Sequence, residues 1–136
     1  MGFLSSKHAL KFRELIKEDN THSKDSERQA LFYIIGGNDD LFKKRHFIYN
    51  FKDNSINPEC LTNGEVDFST SSKALIRLGF NLYNNYKDDY ISPMNIFYSL
   101  DENNYNLAVN AIDVRFGRDI EKEISIEDEI EEELEL

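Results

Sequence analysis

Cysteine occurs once in this chain of 136 residues, long apolar runs are missing, and bases are outnumbered by acids. The single thiol, Cys60, closes no internal disulfide and offers no second sulfur for a cysteine-built zinc site, which fits a reducing cytoplasm. The longest apolar run, Ala30-Leu31-Phe32-Tyr33-Ile34-Ile35, falls far short of the ~20 residues that cross a bilayer, so no membrane association is expected. The opening Met1-Gly2-Phe3-Leu4-Ser5-Ser6-Lys7 has no basic stretch leading into a long apolar one, and no secretory signal is read from it. Gly2 and Ser6 formally fit a myristoylation pattern, but the residues that follow read as an ordinary helix start. Sixteen Lys and Arg against 26 Asp and Glu leave a net charge of −10. That balance argues against direct nucleic-acid binding and against anionic membranes, and favours a basic partner.

What is present suffices for one folded domain. The length leaves room for a single core. Apolar residues at 40%, with seven Tyr and ten Phe, supply enough burial to offset chain entropy. Charge is unevenly placed. From Arg118 to Leu136 ten acids face two bases, a net of −8, whereas residues 1–117 hold fourteen bases and sixteen acids, a net of −2. The composition therefore divides the chain into a nearly neutral body, 1–117, and an acidic tail, 118–136. Disorder, a helix through Ile126, Ile130 and Leu134, and a brief strand at Ile124-Ser125-Ile126 all stay open for the tail. Fourteen Asn and thirteen Ile against five Ala point to an AT-rich coding sequence, as in a low-GC bacterium or its phage.

Through the body the apolar spacing is helical. Ser5 or Ser6 caps a first helix in which His8, Phe12, Leu15 and Ile16 recur at three- and four-residue steps. Ser23 or Asp25 caps a second, running through Ala30, Leu31, Ile34 and Ile35 to Gly36-Gly37; apolar residues on almost every side of its last turns place it centrally. Asn38-Asp39-Asp40 opens a third, with Leu41, Phe42, Arg45, Ile48 and Tyr49 inward. From Phe51 to Thr70 no period is sustained beyond one turn at Asn57-Pro58, so this stretch reads as a connector. The run Ser69 to Ser72 caps a fourth helix with Ala74, Leu75, Leu78, Leu82 and Tyr86 on one face, and Gly79 inside it marks a close approach by another element. Ser92-Pro93 starts a short fifth helix with Met94, Ile96, Phe97 and Leu100. Asp101 starts a sixth, with Tyr105, Ala108, Val109, Ile112 and Phe116 as its apolar face and Gly117 at its end. The fold class is all-α: a compact bundle of five or six helices with a short irregular connector and an acidic C-terminal tail.

Motifs that carry chemistry are scarce. The only imidazoles, His8, His22 and His46, show no ligand spacing, so no metal is expected. His8 on an apolar face reads as a packed residue with its nitrogens satisfied. Folding could still gather His8, His22 and Asp25 around a metal ion, and a metal-assisted hydrolase built on His8, His22 and His46 is the weakest of the functional readings. Cys60 with His46 or His22 is the candidate pair for nucleophilic catalysis, but no local signature surrounds the thiol and a buried structural cysteine is the reading. Gly36-Gly37-Asn38-Asp39-Asp40 lacks a Lys and carries two acids, so it reads as a helix stop and restart rather than a phosphate loop. No catalytic residue and no cofactor is assigned. Lys43-Lys44-Arg45-His46 is the most basic stretch and reads as a solvated helix face, with small-ligand or nucleotide binding as the alternative.

The tail is the feature the fold requires least. Glu127, Asp128, Glu129, Ile130, Glu131, Glu132, Glu133 and Leu134 interleave acids with aliphatic anchors, a pattern suited to a host protein with a basic surface. A solubilising terminus is the plainer reading, and Arg115 could dock the tail on the body. The stretches Ser26-Glu27-Arg28-Gln29-Ala30-Leu31-Phe32-Tyr33-Ile34-Ile35-Gly36-Gly37-Asn38-Asp39-Asp40-Leu41 and Ser71 to Asn84 resemble a small family of uncharacterised proteins, a domain of unknown function. That family occurs in Gram-positive bacteria and their mobile elements, and the resemblance spans Leu4 to about Phe116. It implies a cytoplasmic bacterial or phage protein and brings no functional residues. The expectation is a non-enzymatic interaction module, an inhibitor from a phage or mobile element that binds a basic nucleic-acid-handling or defence protein of the host.

Overall fold

Side-chain oxygens cap the helices at the places their sequence favours. In the computed structural model, which describes residues 1–119, Ser5 Oγ accepts the His8 N–H (3.1 Å) and opens α1, Ser6–Asp19. Asp25 caps α2, Ser26–Gly36, and Asn38 caps α3, Asp39–Lys43. The short α4, Arg45–Ile48, has no side-chain cap. Ser69 caps α5, Thr70–Asn84, Ser92 caps α6, Pro93–Phe97, and Asp101 caps α7, Glu102–Arg115. Each cap satisfies a donor that the first turn leaves orphaned, typically ~1 kcal/mol. At the far end of α7, Gly117 takes φ 70 while its N–H reaches Val114 O and the Arg118 N–H reaches Asp113 O. This paired closure needs a left-handed residue, which glycine supplies without strain.

From Ala30 to Gly36 every residue of α2 is buried, and the helix packs against α1, α5 and α7. An apolar surface on all sides can be satisfied only at the centre of a bundle, as the sequence pattern predicts. Close approach fixes the layers. A β-carbon on Gly79 would stand 2.9 Å from Leu31 Cδ1, and one on Gly36 would stand 3.0 Å from the Phe12 nitrogen. Among the described residues the fold is all-α apart from one two-stranded hairpin, β1 (Tyr49–Asn50) and β2 (Ser55–Ile56), paired antiparallel with Tyr49 opposite Ile56. Pro58–Leu61 forms a 3-10 turn within the connector.

Three expectations are corrected. The third helix is not continuous: it breaks at Lys44, giving seven α-helices among the described residues rather than five or six. Arg45 reaches back to the Phe42 carbonyl (3.0 Å) and lies over the Phe42 ring, and the β-branched and aromatic run that follows turns extended at Tyr49. The fourth predicted helix, α5, ends at Asn84, so Tyr86 lies beyond it. On the last helix the buried positions are Leu107, Ala108, Ala111 and Val114, while Tyr105 and Phe116 are exposed. The inward face is thus turned about one residue from the predicted one, because the small side chains of 108 and 111 and the space at Gly37 let α7 approach α2 closely.

Candidate functional site

The end of α1, the start of α2 and the hairpin meet in a polar cluster. Asp19, buried at the last position of α1, accepts from the Tyr49 hydroxyl (2.6 Å) and Asn54 Nδ2 (2.7 Å) at one oxygen and from the Thr21 hydroxyl at the other. Arg28 donates to the Tyr49 oxygen (3.0 Å), to Asp25 (2.8 Å) and to the Asn54 carbonyl (2.8 Å), with its guanidinium over the Tyr83 ring. Burial, then the hydrogen bond to Asp19, raises the Tyr49 hydroxyl well above an ordinary phenol. The hydrogen bond to Tyr49 holds Arg28 firmly protonated. With its donors and acceptors turned on one another, the cluster acts as a clamp on the hairpin.

His8 is buried and neutral. The Leu4 N–H donates to Nδ1 (3.1 Å), which fixes the proton on Nε2, and Nε2 donates to the Tyr33 carbonyl (2.8 Å). Burial lowers its pKa more than the Tyr33 carbonyl raises it. Phe3 rests against the imidazole, Phe12 and Tyr33, and the Tyr33 hydroxyl donates to the Gly2 carbonyl, so the N-terminal residues are latched to the core. The packed reading of His8 holds. His22 lies exposed, accepting the Lys24 N–H, and His46 lies exposed against the Phe51 ring. Among the described residues, no group of three or more His, Cys, Asp or Glu side chains is placed to hold a metal ion, so His8, His22 and Asp25 form no such cluster. Cys60 is buried, as expected, and burial with Glu59 pushes its thiol up to about 12, far from a thiolate at neutral pH.

The break at Lys44 divides the basic stretch. Lys43 is exposed, Lys44 pairs with Asp40 (2.9 Å) over the Phe68 ring, Arg45 pairs with Glu18 (3.4 Å), and His46 faces the same Glu18. Of the four, only His46 lines the shallow groove beside the hairpin, with Phe51, Lys52, Asn57 and Glu59. Arg115 is engaged within the bundle. Its guanidinium joins α7 to α5 and α2 through the Leu82 carbonyl (2.7 Å), Ser26 and Glu27. Glu127 to Leu134, the predicted partner-binding residues, lie outside the described residues.

A surface that the sequence reading missed lies on α6. Tyr90, Met94 and Tyr98 are 60%, 71% and 85% exposed. Together with Thr70, Ala74 and Arg77 of α5 they line a cleft of about 350 Å³. The mount is rigid: Arg77 pairs with Asp88 (2.9 Å) and lies over the Tyr90 ring, the Tyr86 hydroxyl donates to Asp88, and Asp88 accepts the Tyr90 N–H (2.8 Å). Burial works to raise the Asp88 carboxyl, but the Tyr90 N–H and Arg77 outweigh it and hold the group below the ordinary carboxylate range. Ser99 Oγ, buried against the same cleft, has no hydrogen-bond partner among the described residues. The sequence carries part of the signal: Met94 and Tyr98 stand four residues apart on α6 and its C-cap, on a different side from Ile96, whereas Tyr90 lies before Pro93, outside the helix.

No curated protein and no solved structure gives a significant match to the chain. The model of a family of unknown function (DUF6075) matches residues 1–128, starting before Leu4 and running past Phe116, so that the first part of the acidic segment falls inside it. With nearly its whole length covered, the chain belongs to this family of unknown function.

Proposed function

We propose that the chain is a non-enzymatic protein–protein interaction module that meets its partner with the α6 face. The observation that carries this reading is the set of three large apolar side chains, Tyr90, Met94 and Tyr98, held side by side in solvent at 60%, 71% and 85% exposure. Aromatic residues and Met are enriched in interfaces, and a rigid apolar patch gains most by being covered. The partner is a protein with a basic surface, because residues 120–136 bring nine acids against one base and so favour Lys and Arg on what the chain meets. The resemblance to proteins of mobile elements supports an inhibitor of a host nucleic-acid-handling or defence protein, and the lone reduced thiol Cys60 supports action in the cytoplasm.

The test compares the full chain with Met94→Ser/Tyr98→Ser as bait in the same bacterial lysate, at low and high salt. A basic protein held by the wild type, lost with the double variant and weakened by salt supports the proposal. Identical capture by both baits, or capture of nothing, contradicts it.

A further inference from the structure

Of the fourteen asparagines, only Asn63 is followed by glycine. The pair lies in the connector between the Pro58–Leu61 turn and α5, where Thr62, Asn63, Gly64 and Glu65 are all exposed. Gly64 takes φ 73, and a β-carbon placed on it would meet nothing within 4 Å. Its N–H donates to none of the described residues, whereas the Asn63 N–H is held by the Glu59 carbonyl (2.9 Å). The Asn63 side chain is turned along its own backbone: Oδ1 accepts the Glu65 N–H (3.1 Å), closing a ring that spans the Gly64 peptide.

These are the parts of an intramolecular acyl transfer. The Gly64 nitrogen, once its proton passes to hydroxide, attacks Asn63 Cγ and closes a succinimide ring, while Nδ2 takes up a proton and leaves as ammonia. The Glu65 N–H sits on the oxygen where negative charge gathers in the tetrahedral intermediate. Glycine adds no side chain to obstruct the closure. Water then adds to one of the two imide carbonyls. Cleavage at Cγ leaves aspartate, and cleavage at the Asn63 main-chain carbonyl leaves isoaspartate.

At other asparagines hydrogen bonding opposes the same reaction. Asn54 Nδ2 is tied to Asp19 (2.7 Å), and Ser55, which follows it, is paired opposite Asn50. The N–H after Asn20 goes to the Ile16 carbonyl (3.0 Å), and the N–H after Asn84 to the Asn81 carbonyl (2.9 Å). We propose that Asn63-Gly64 is a site of spontaneous deamidation in the folded protein, where Asn63 becomes a mixture of isoaspartate and aspartate. Each conversion adds one negative charge to the connector, and the isoaspartyl form lengthens its backbone by one methylene ahead of the Ser69 cap of α5.

The test incubates the full native chain in mildly alkaline buffer and maps conversion at each asparagine by peptide mass spectrometry, with isoaspartate counted by enzymatic carboxyl methylation. The reference is the free peptide from Leu61 to Val66 under the same conditions. Asn63 should convert within severalfold of the peptide's rate, at least about tenfold faster than Asn54, and give both products. Asn63→Gln, at an exposed position, should remove most of the methylatable isoaspartate. A native rate more than about tenfold below the peptide's would show that the fold shields Asn63 and would overturn the proposal. Conversion led by another asparagine, or an isoaspartate signal undiminished in Asn63→Gln, would overturn it as well.

Discussion

Leu107 of α7 sets a terminal methyl where a β-carbon on Gly37 would stand, and His8 Nε2 lies 3.0 Å from the same point. Gly37 has an ordinary φ of −91, so the position is governed by space and not by backbone conformation. Gly37→Ala should therefore cost about 1–3 kcal/mol through overpacking. In Gly37→Ala/Leu107→Ala the loss should be smaller than the sum of the single losses, because shortening Leu107 makes room for the new methyl. Urea unfolding of the four proteins gives the coupling; strict additivity would contradict the packing described.

Tyr49→Phe removes an acceptor from Arg28 and a donor from buried Asp19. A cost of about 1–3 kcal/mol is expected, and more for Asp19→Ala, which leaves the Tyr49, Asn54 and Thr21 donors without their carboxylate. Hydrogen exchange should quicken in the Asn50–Ser55 hairpin more than in α5. Unchanged exchange in the hairpin would show that the cluster does not clamp it.

Acid should weaken the fold through His8. In the unfolded chain its pKa is the ordinary 6.5, and in the folded protein burial lowers it. Between those two values the unfolded chain binds a proton that the native state refuses, so stability rises with pH across that window. The contribution is complete above pH 6.5 and is lost as pH falls through the folded value. His8→Gln should flatten this part of the stability–pH curve, measured by chemical denaturation from pH 6.5 downward. An unchanged slope would assign it to other groups.

Cys60 should be silent toward thiol reagents. Its side chain is buried and its thiol is pushed up to about 12, so modification at neutral pH should follow the opening of the fold and accelerate with added urea. Rapid labelling of the native protein would place the thiol at the surface.

The caps and the central helix were legible because both depend on local chemistry. Ser5, Asp25, Asn38, Ser69, Ser92 and Asp101 announce helix starts, and the unbroken apolar run of α2 announces its place in the core. The clamp was not legible, since Tyr49 lies 30 residues from Asp19 and 21 from Arg28, and no spacing rule joins them. The face of α7 was legible at Ala108 and misread around it, because Tyr105, Ile112 and Phe116 outweigh Ala111 in any hydrophobic pattern, whereas close packing against α2 selects the small residues. On α6, Met94 and Ile96 both read as core; Ile96 is buried, and Met94, two positions away on another side of the helix, is exposed.

The claim that a protein partner covers the α6 face is tested most directly by placing the photo-reactive p-benzoylphenylalanine at position 98, with the same group at position 52 as control, and irradiating cells that express the full chain. Position 98 should yield a discrete adduct with another protein that disappears with Met94→Ser, while position 52 yields none. Adducts of equal yield at both positions, or no adduct at 98, would contradict it.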